Sequence, residues 1–494
     1  MPFQTVILWT DWLIYLLVAV VAATVVYVRG REHLLAPWRR VGHSASGMVG
    51  LTVLLLFVAV GLLDSLHYRP RLPASAPAAT VAGPPVAKVV YAAEVRSALD
   101  ALLAPLRARG EKTYSAPLAT QLFAMETVER ADGTQARDFP RLKYGGAQLK
   151  DPAGDWAASV ARGLLGGAAA GAVAWFLLAL CIAAVAAQRS GLSIRVAWDA
   201  IWRGDTATPW RAVLLVLLLL CTLAGATAAL AINYHVLGTD KVGQDVLYLT
   251  LKSIRTALVI GTLTTLVMLP FALAMGIAAG YFGGWVDDVI QYLYTTLNSI
   301  PGVLLIAASV LMMQVFIDRH AELFPTAAQR ADVRLLVLCL ILGITSWTGL
   351  CRLLRGEALK LKELEYIQAA HAFGVRHHRV ISRHILPNVM HIVLISVVME
   401  FSGLVLAEAV LSYVGVGVDP SMNSFGTMIN NARLEMAREP MVWWSLAAAF
   451  VFMVTLVLAA NLFADAVRDA FDPRVRTGAA LRLRAKALTR AAAA

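Results

Sequence analysis

The chain has 494 residues, 59% hydrophobic and 15% charged, with a mean hydropathy of +0.67. Soluble domains run at roughly 45–50% apolar and about 25% charged residues, so a soluble globular protein is excluded. The 43 Lys and Arg against 32 Asp and Glu leave a formal charge of +11. Nucleic-acid binders and membrane proteins both carry such a surplus, and its placement along the chain separates them.

A helix needs about 20 mostly apolar residues to cross the hydrocarbon core. Nine such runs occur in order, at 12–28, 44–63, 163–188, 212–237, 256–281, 289–317, 335–351, 385–414 and 441–464. Only the eighth is interrupted by charge, with His391, Glu400 and Glu408. The first lacks an Ala-x-Ala-like cleavage site and is followed by basic residues, which favours a retained helix over a cleaved signal. Cys181, Cys221, Cys339 and Cys351 all lie in or at the end of apolar runs, and read as small buried hydrophobes rather than as a disulfide or metal framework.

The basic residues fall on one face. Arg29, Arg31, Arg39 and Arg40 follow the first run, and Arg189, Arg195, Arg203 and Arg211 follow the third. Arg355, Lys360, Lys362, Arg376, Arg379 and Arg383 follow the seventh, and the tail adds Arg468 to Arg490. Nine crossings put all four segments on the same side. Basic residues near helix ends resist translocation, so that side is expected to be the cytoplasm, with the N-terminus outside and the C-terminus inside. Topology accounts for the charge, and nucleic acid is not expected as a partner.

One long segment, 64–162, falls on the outer side. It opens with a Pro- and Ala-rich linker at 69–88, too poor in large apolar residues to pack a core. An amphipathic stretch at 90–106 and a polar region with Gly133, Gly145 and Gly146 follow, consistent with a small extracytoplasmic domain.

The loop between the seventh and eighth runs carries the clearest pattern. Ala358, Leu361, Leu364 and Ile367 recur every third residue, giving a narrow apolar stripe on one helix. Gly374 ends that helix, because glycine enters the left-handed conformation without a side-chain clash. Pro387 suits the first turn of the next helix, where its missing N–H costs nothing. Ala369 and Ala370 are small enough for another surface to approach the backbone. A surface or re-entrant helix between two crossings is the plain alternative.

Intramembrane Glu400 and Glu408 suggest either a pathway or an internal partner. Asn298, Ser299 and Pro301 mark either a broken helix lining a path or a simple kink. His371, His377, His378, His384 and His391 invite a metal-site reading, but they surround a cytoplasmic loop and no second shell can be read. No Gly-x-x-x-x-Gly-Lys-Ser/Thr occurs, so the chain lacks the loop that cradles phosphates in P-loop ATPases. No catalytic or metal residues are assigned.

The loop resembles the EAA loop of ABC importer permeases, Glu-Ala-Ala, three residues, Gly, nine residues, then Ile-x-Leu-Pro. Gln368, Ala369, Ala370, Gly374, Leu386 and Pro387 fall at that spacing, with Gln368 in the Glu position and His384 in the Ile position. Both departures look like the oligopeptide and dipeptide subfamily, whose Glu-Tyr-x-x-Ala-Ala and His-Ile-Leu-Pro-Asn are matched by Glu365, Tyr366 and His384 to Asn388. Gly238, Thr239, Asp240, Gly243 and Asp245 resemble that family's outer Gly-Thr-Asp-x-x-Gly-Arg-Asp element, with Gln244 for the Arg. Arg255 sits where the family also has Arg. Glu408-Ala-x-Leu-Ser412-Tyr-x-Gly415-x-Gly417 and Arg468-Asp-Ala-x-Asp-Pro473-Arg match two further elements. Gln291 and Tyr294 stand near where the family often has an intramembrane Arg and Asp.

The resemblance implies an all-α polytopic membrane protein in a bacterial inner membrane, with the six-helix core of a type I importer permease. It divides the chain into an extra helix at 1–35, a first core helix at 36–66 and an outer linker and small domain at 67–160. An inserted helix pair at 161–237, the permease core at 238–476 with the EAA loop at 355–387, and a basic tail at 477–494 complete it. The extra first helix would simply place the N-terminus outside. The implied partners are a second homologous permease subunit, two ATP-binding subunits that hold ATP–Mg, a solute-binding protein and membrane lipid; this chain itself would bind no cofactor. Two other classes compete. One is a secondary transporter coupled to ions through Glu400 and Glu408, which would need inverted repeats. The other is a scaffold whose outer segment binds a partner, testable by deleting 69–150.

Overall fold

The structure, a computed structural model, describes residues 3–71, 91–129, 135–191, 193–324 and 326–471. Most of the linker, Gly133, Pro473 with Arg474, and the basic tail lie outside the described residues.

The chain opens with β1 (Phe3–Thr5), α1 (Trp9–Arg29), α2 (Glu32–His43) and α3 (Ala45–Asp64). The outer segment holds β2 (His67–Pro70), β3 (Arg96–Ser97), α4 (Ala98–Leu102), α5 (Ala104–Ala108), β4 (Glu126–Glu129) and β5 (Gln135–Asp138). The helix pair is α6 (Pro152–Ser190) and α8 (Trp210–Ala231), joined by amphipathic α7 (Ile194–Arg203). Then come α9 (Val246–Phe282), α10 (Gly284–Ser299), α11 (Gly302–Arg319), α12 (Ala327–Ser346) and α13 (Thr348–Lys362). The chain continues through α14 (Glu365–Ala372), α15 (His377–Val380), α16 (Leu386–Val414), α17 (Phe425–Glu435) and α18 (Trp444–Phe471).

Among the described residues nine helical segments are long and apolar enough to cross a membrane, in agreement with the nine apolar runs. Their ends differ from the runs where polar residues are tolerated inside a helix. Asp245 caps α9 through the amides of Leu247 and Tyr248, so this helix starts ahead of Lys252 and Arg255, which the uncharged run left out. The run at 289–317 is not one helix and is broken rather than kinked. Ile300 is extended, as expected of the residue before a proline, and Pro301 immediately precedes α11.

α9 is the centre of the core. Gly276 and Gly280 let it approach α13, since a Cβ on Gly276 would lie 2.8 Å from both the Cys351 carbonyl and Leu354, and one on Gly280 would lie 2.5 Å from the Arg355 carbonyl. Small residues four apart are the usual means of close helix contact in lipid, where apolar side chains gain little by leaving the bilayer. α3 packs on α9 and α18, and α16 packs on α9 and α18. The α6–α8 pair is closed by the same device, with Gly167 and Gly171 against the backbone of Gly225 and Cys221, and it reaches the core through α3.

The connectivity gathers α2, α7, α14 and the end of α18 at one end of the bundle. At the opposite end β1, β2 and β3 form an antiparallel sheet, with Thr5 opposite Tyr68 and Tyr68 opposite Arg96, and β4 and β5 form a hairpin. Within the amphipathic stretch at 90–106, the described residues from 91 onward hold a strand and two short helices that bury Leu99 and Leu106. The outer segment does not stand apart: Phe123 packs edge-on against Trp444 of α18, with ring centroids 4.8 Å apart.

Candidate functional site

The loop that follows α13 lies at the basic end, and it departs from the single helix that its periodicity suggests. The chain turns at Glu363, and Leu364 is extended ahead of α14. The apolar stripe is divided accordingly: Ala358 and Ile367 are fully buried, Leu361 is half-buried, and Leu364 is 42% exposed. Glu365 then sits in the first turn of a new helix, where a negative charge favours the exposed amides.

Ile367 anchors α14 in a cluster with Tyr281 of α9, Leu354, Ala358, Val380 and Ile385. The Tyr281 hydroxyl lies 3.1 Å from His371 Nε2 and 2.8 Å from His377 Nδ1, so the far end of α9 is fastened to both sides of the Gly374 turn. Gly374 has φ +68°, its N–H donates to the His371 carbonyl at 2.9 Å, and Val375 N–H donates to the Ala370 carbonyl at 3.0 Å. A Cβ on Gly374 would meet nothing within 4 Å. The outward face carries Glu365, Tyr366, Gln368, Ala369 and Phe373, the last 86% exposed, while Ala370 packs on the cluster. Gln368 donates to the Glu363 carbonyl at 3.2 Å, and Asn388 donates to the Tyr366 hydroxyl at 3.1 Å.

Leu386 is half-buried and Pro387 exposed. Pro387 lies in the first turn of α16, as the sequence suggested, although α15 runs into α16 without a gap through a wide π turn at Ile381–Ile385. Sequence reading also missed the fork from Arg355 to Asp287 of α10, at 2.5 and 2.7 Å.

The outer element is built in the opposite way. Thr239 is fully buried, donates to the Thr113 carbonyl at 2.8 Å and accepts Ser115 N–H at 2.6 Å, and its carbonyl accepts Trp444 Nε1 at 2.9 Å. Asp240 accepts the amides of Val242 and Gln244, and its burial raises its pKa. Gly238 and Gly243 have φ +72° and +76°, and a Cβ on either would overlap the backbone of Ser115 or Glu111. His235 Nδ1 lies 2.8 Å from the Asp245 carboxylate and its Nε2 lies 3.5 Å from Glu111. Burial disfavours the imidazolium, but the two carboxylates outweigh it and lift the His235 pKa to about 9. Glu111 in turn accepts the amides of Lys143 and Tyr144.

Along α9, Tyr248, Lys252 and Arg255 share one face and bind residues of α1, α3 and α4. Tyr248 donates to Asp100 of α4 at 2.7 Å. Lys252 pairs with Asp64 of α3 at 2.5 Å and with Asp100 at 3.2 Å. Arg255 pairs with Asp11 of α1 at 2.7 Å and bonds Ser65 and Thr10, while Asp11 also meets His67 and Thr10 meets Asp332 of α12. The first helix is therefore tied into the core by buried polar contacts. The signal was available in Asp11 beside an apolar run and in the helical spacing of the three α9 residues.

The candidate membrane residues are not gathered into one site. Asn298 and Ser299 end α10 with exposed side chains, Asn298 accepting Thr348 at 3.1 Å, and Pro301 is exposed. Glu408 is 1% exposed and accepts Ser412 at 2.6 Å and Ser424 at 2.9 Å, which pins α16 to α17. Glu400 is half-buried on α16, eight residues away in sequence. Tyr294 is buried in the cluster under α14. Among the described residues no group of three or more His, Cys, Asp or Glu is placed to hold a metal.

Residues 272–477 match the family described as the binding-protein-dependent transport system inner membrane component. The oligopeptide transport system permease protein OppC of Mycobacterium bovis is 33% identical over 243 residues, which cover 49% of this chain and 77% of that protein. The glutathione transport system permease protein GsiD of Pectobacterium atrosepticum is 32% identical, covering 49% and 74%. The dipeptide transport system permease protein DppC of Bacillus subtilis is 27% identical, covering 49% and 69%.

Proposed function

Because the chain belongs to the family of inner membrane components of binding-protein-dependent transport systems, an ABC importer permease, we propose that it forms half of a translocation pathway for peptides or peptide-like solutes. A second homologous permease completes the pathway, and two ATP-binding subunits that hold ATP–Mg drive it. A solute-binding protein delivers cargo at the outer end. The basic end lies in the cytoplasm, with the N-terminus outside and the C-terminus inside.

The observation that carries this reading is the exposed α14 turn. It is fixed from behind by Ile367 and Tyr281, bare at Gly374, and faced with Tyr366, Ala369 and Phe373. A docked ATP-binding subunit that closes on ATP has different contacts in its two states, and a rigid helix transmits that difference to α9 and α16. The Asn298 to Pro301 break and half-buried Glu400 are assigned to the pathway; Glu408, saturated by two serines, is a structural pin and lends no support to ion coupling.

The test is a single cysteine at Phe373 in a membrane preparation carrying all subunits. Cross-linking to the ATP-binding subunit that weakens on ATP addition supports the reading. Labelling of the same cysteine from outside intact cells overturns it.

A further inference from the structure

The inserted pair meets the first core helix at the basic end, and there the two leave a cleft of about 540 Å³. Its walls are His43 at the end of α2, Gly204 and Thr206 of the α7–α8 loop, and Arg211, Ala212 and Leu215 on the first turns of α8. His43 Nδ1 is bonded to the Ala207 carbonyl, which ties α2 to that loop. Arg211 is exposed and makes no ion pair or hydrogen bond among the described residues.

The lining is divided by chemistry. Arg211 and His43 offer cationic and hydrogen-bonding groups at one end, while Ala212 and the 47% exposed Leu215 continue apolar toward the bilayer. The depth is set by α7, whose Trp198 and Trp202 stack edge-on with centroids 6.0 Å apart, and Trp198 also meets Phe176 of α6. Tryptophans of this kind sit at the headgroup level. The loops at 29–43 and 189–211 add seven further arginines against Glu32, Asp199 and Asp205, and none of those acids lines the cleft.

We propose that this cleft binds one anionic phospholipid of the cytoplasmic leaflet, its phosphate on Arg211 and His43 and the start of an acyl chain along Ala212 and Leu215. Basic pockets between crossing helices on the cytoplasmic side suit such headgroups. The lipid bridges α2 and α3 to α7 and α8, reinforcing the tie that His43 makes to the Ala207 carbonyl. The inference rests on the membrane orientation above but not on transport, so its failure leaves the permease reading standing.

Native mass spectrometry of the full chain in neutral detergent tests it, with phosphatidylglycerol, phosphatidylcholine or inorganic phosphate added. The wild type is expected to retain phosphatidylglycerol at least tenfold better than phosphatidylcholine. The double variant Arg211→Gln with His43→Gln should lose that preference, and Arg211→Lys should keep most of it. Ala212→Trp, which fills the apolar end and leaves the charge alone, should also lose retention. Equal retention by the wild type and Ala212→Trp overturns the proposal, as does displacement of the lipid by millimolar inorganic phosphate, which would mark a site for a soluble anion.

Discussion

Two glycine turns carry the family pattern at opposite ends of the molecule, and their surroundings are opposite too. Gly243 is walled in by the Glu111 backbone of the outer segment, while Gly374 faces open space. Both have a positive φ, so backbone geometry alone does not distinguish them. What differs is who covers the turn. The chain closes the Gly243 turn with residues of its 64–162 segment and leaves the Gly374 turn bare; under the proposed function that bare surface is the one reserved for another subunit.

The comparison breaks first at Gly243. Gly243→Val needs a strained left-handed backbone and overlaps the Glu111 carbonyl, a combined cost of about 4 kcal/mol; loss of folded protein in detergent, read by size-exclusion chromatography, is the expected outcome. The outer node is next. The folded His235 pKa of about 9 lies above its ordinary 6.5, so its stabilisation is complete below pH 6.5 and is lost as pH rises through about 9. A shift of that size corresponds to at most about 3 kcal/mol. Melting curves should fall steeply between pH 7 and 10, and His235→Gln should flatten the dependence.

Gly374→Asp should behave unlike Gly243→Val. Asp tolerates the left-handed conformation at a cost of about 1 kcal/mol, so melting should hardly move, while stimulated ATPase and uptake in reconstituted vesicles fall at least a hundredfold, about 2.7 kcal/mol. Normal uptake in that variant would remove the coupling role. The smallest expected effect is Phe373→Ser, with a roughly tenfold loss of ATPase stimulation and unchanged expression, in keeping with an exposed aromatic that becomes an anchor only on docking.

Crossing number and order were legible because uncharged apolar runs are a strong local signal. Gly374 was legible for the same reason, being a local conformational demand. The turn at Glu363 was not, because the three-residue periodicity runs straight through it and only the burial of Ile367 against Tyr281 fixes where the helix restarts. The Asp11–Arg255 pair joins residues 244 apart in sequence, and no window of the chain displays both. Charges on crossing helices are informative for this reason: Lys252 and Arg255 lie just ahead of the fifth uncharged run in the sequence, and in the fold they hold α1, α3 and α4 in place.

The break at Ile300 and Pro301 also bears on whether this subunit is complete alone. The last carbonyls of α10 and the first amides of α11 have no partners within their own helices, and bare peptide groups in hydrocarbon cost several kcal/mol each. Ser299, Ile300 and Pro301 are exposed on the lone subunit. Under the proposed function, a water-filled pathway or the second permease subunit satisfies those groups and covers that flank.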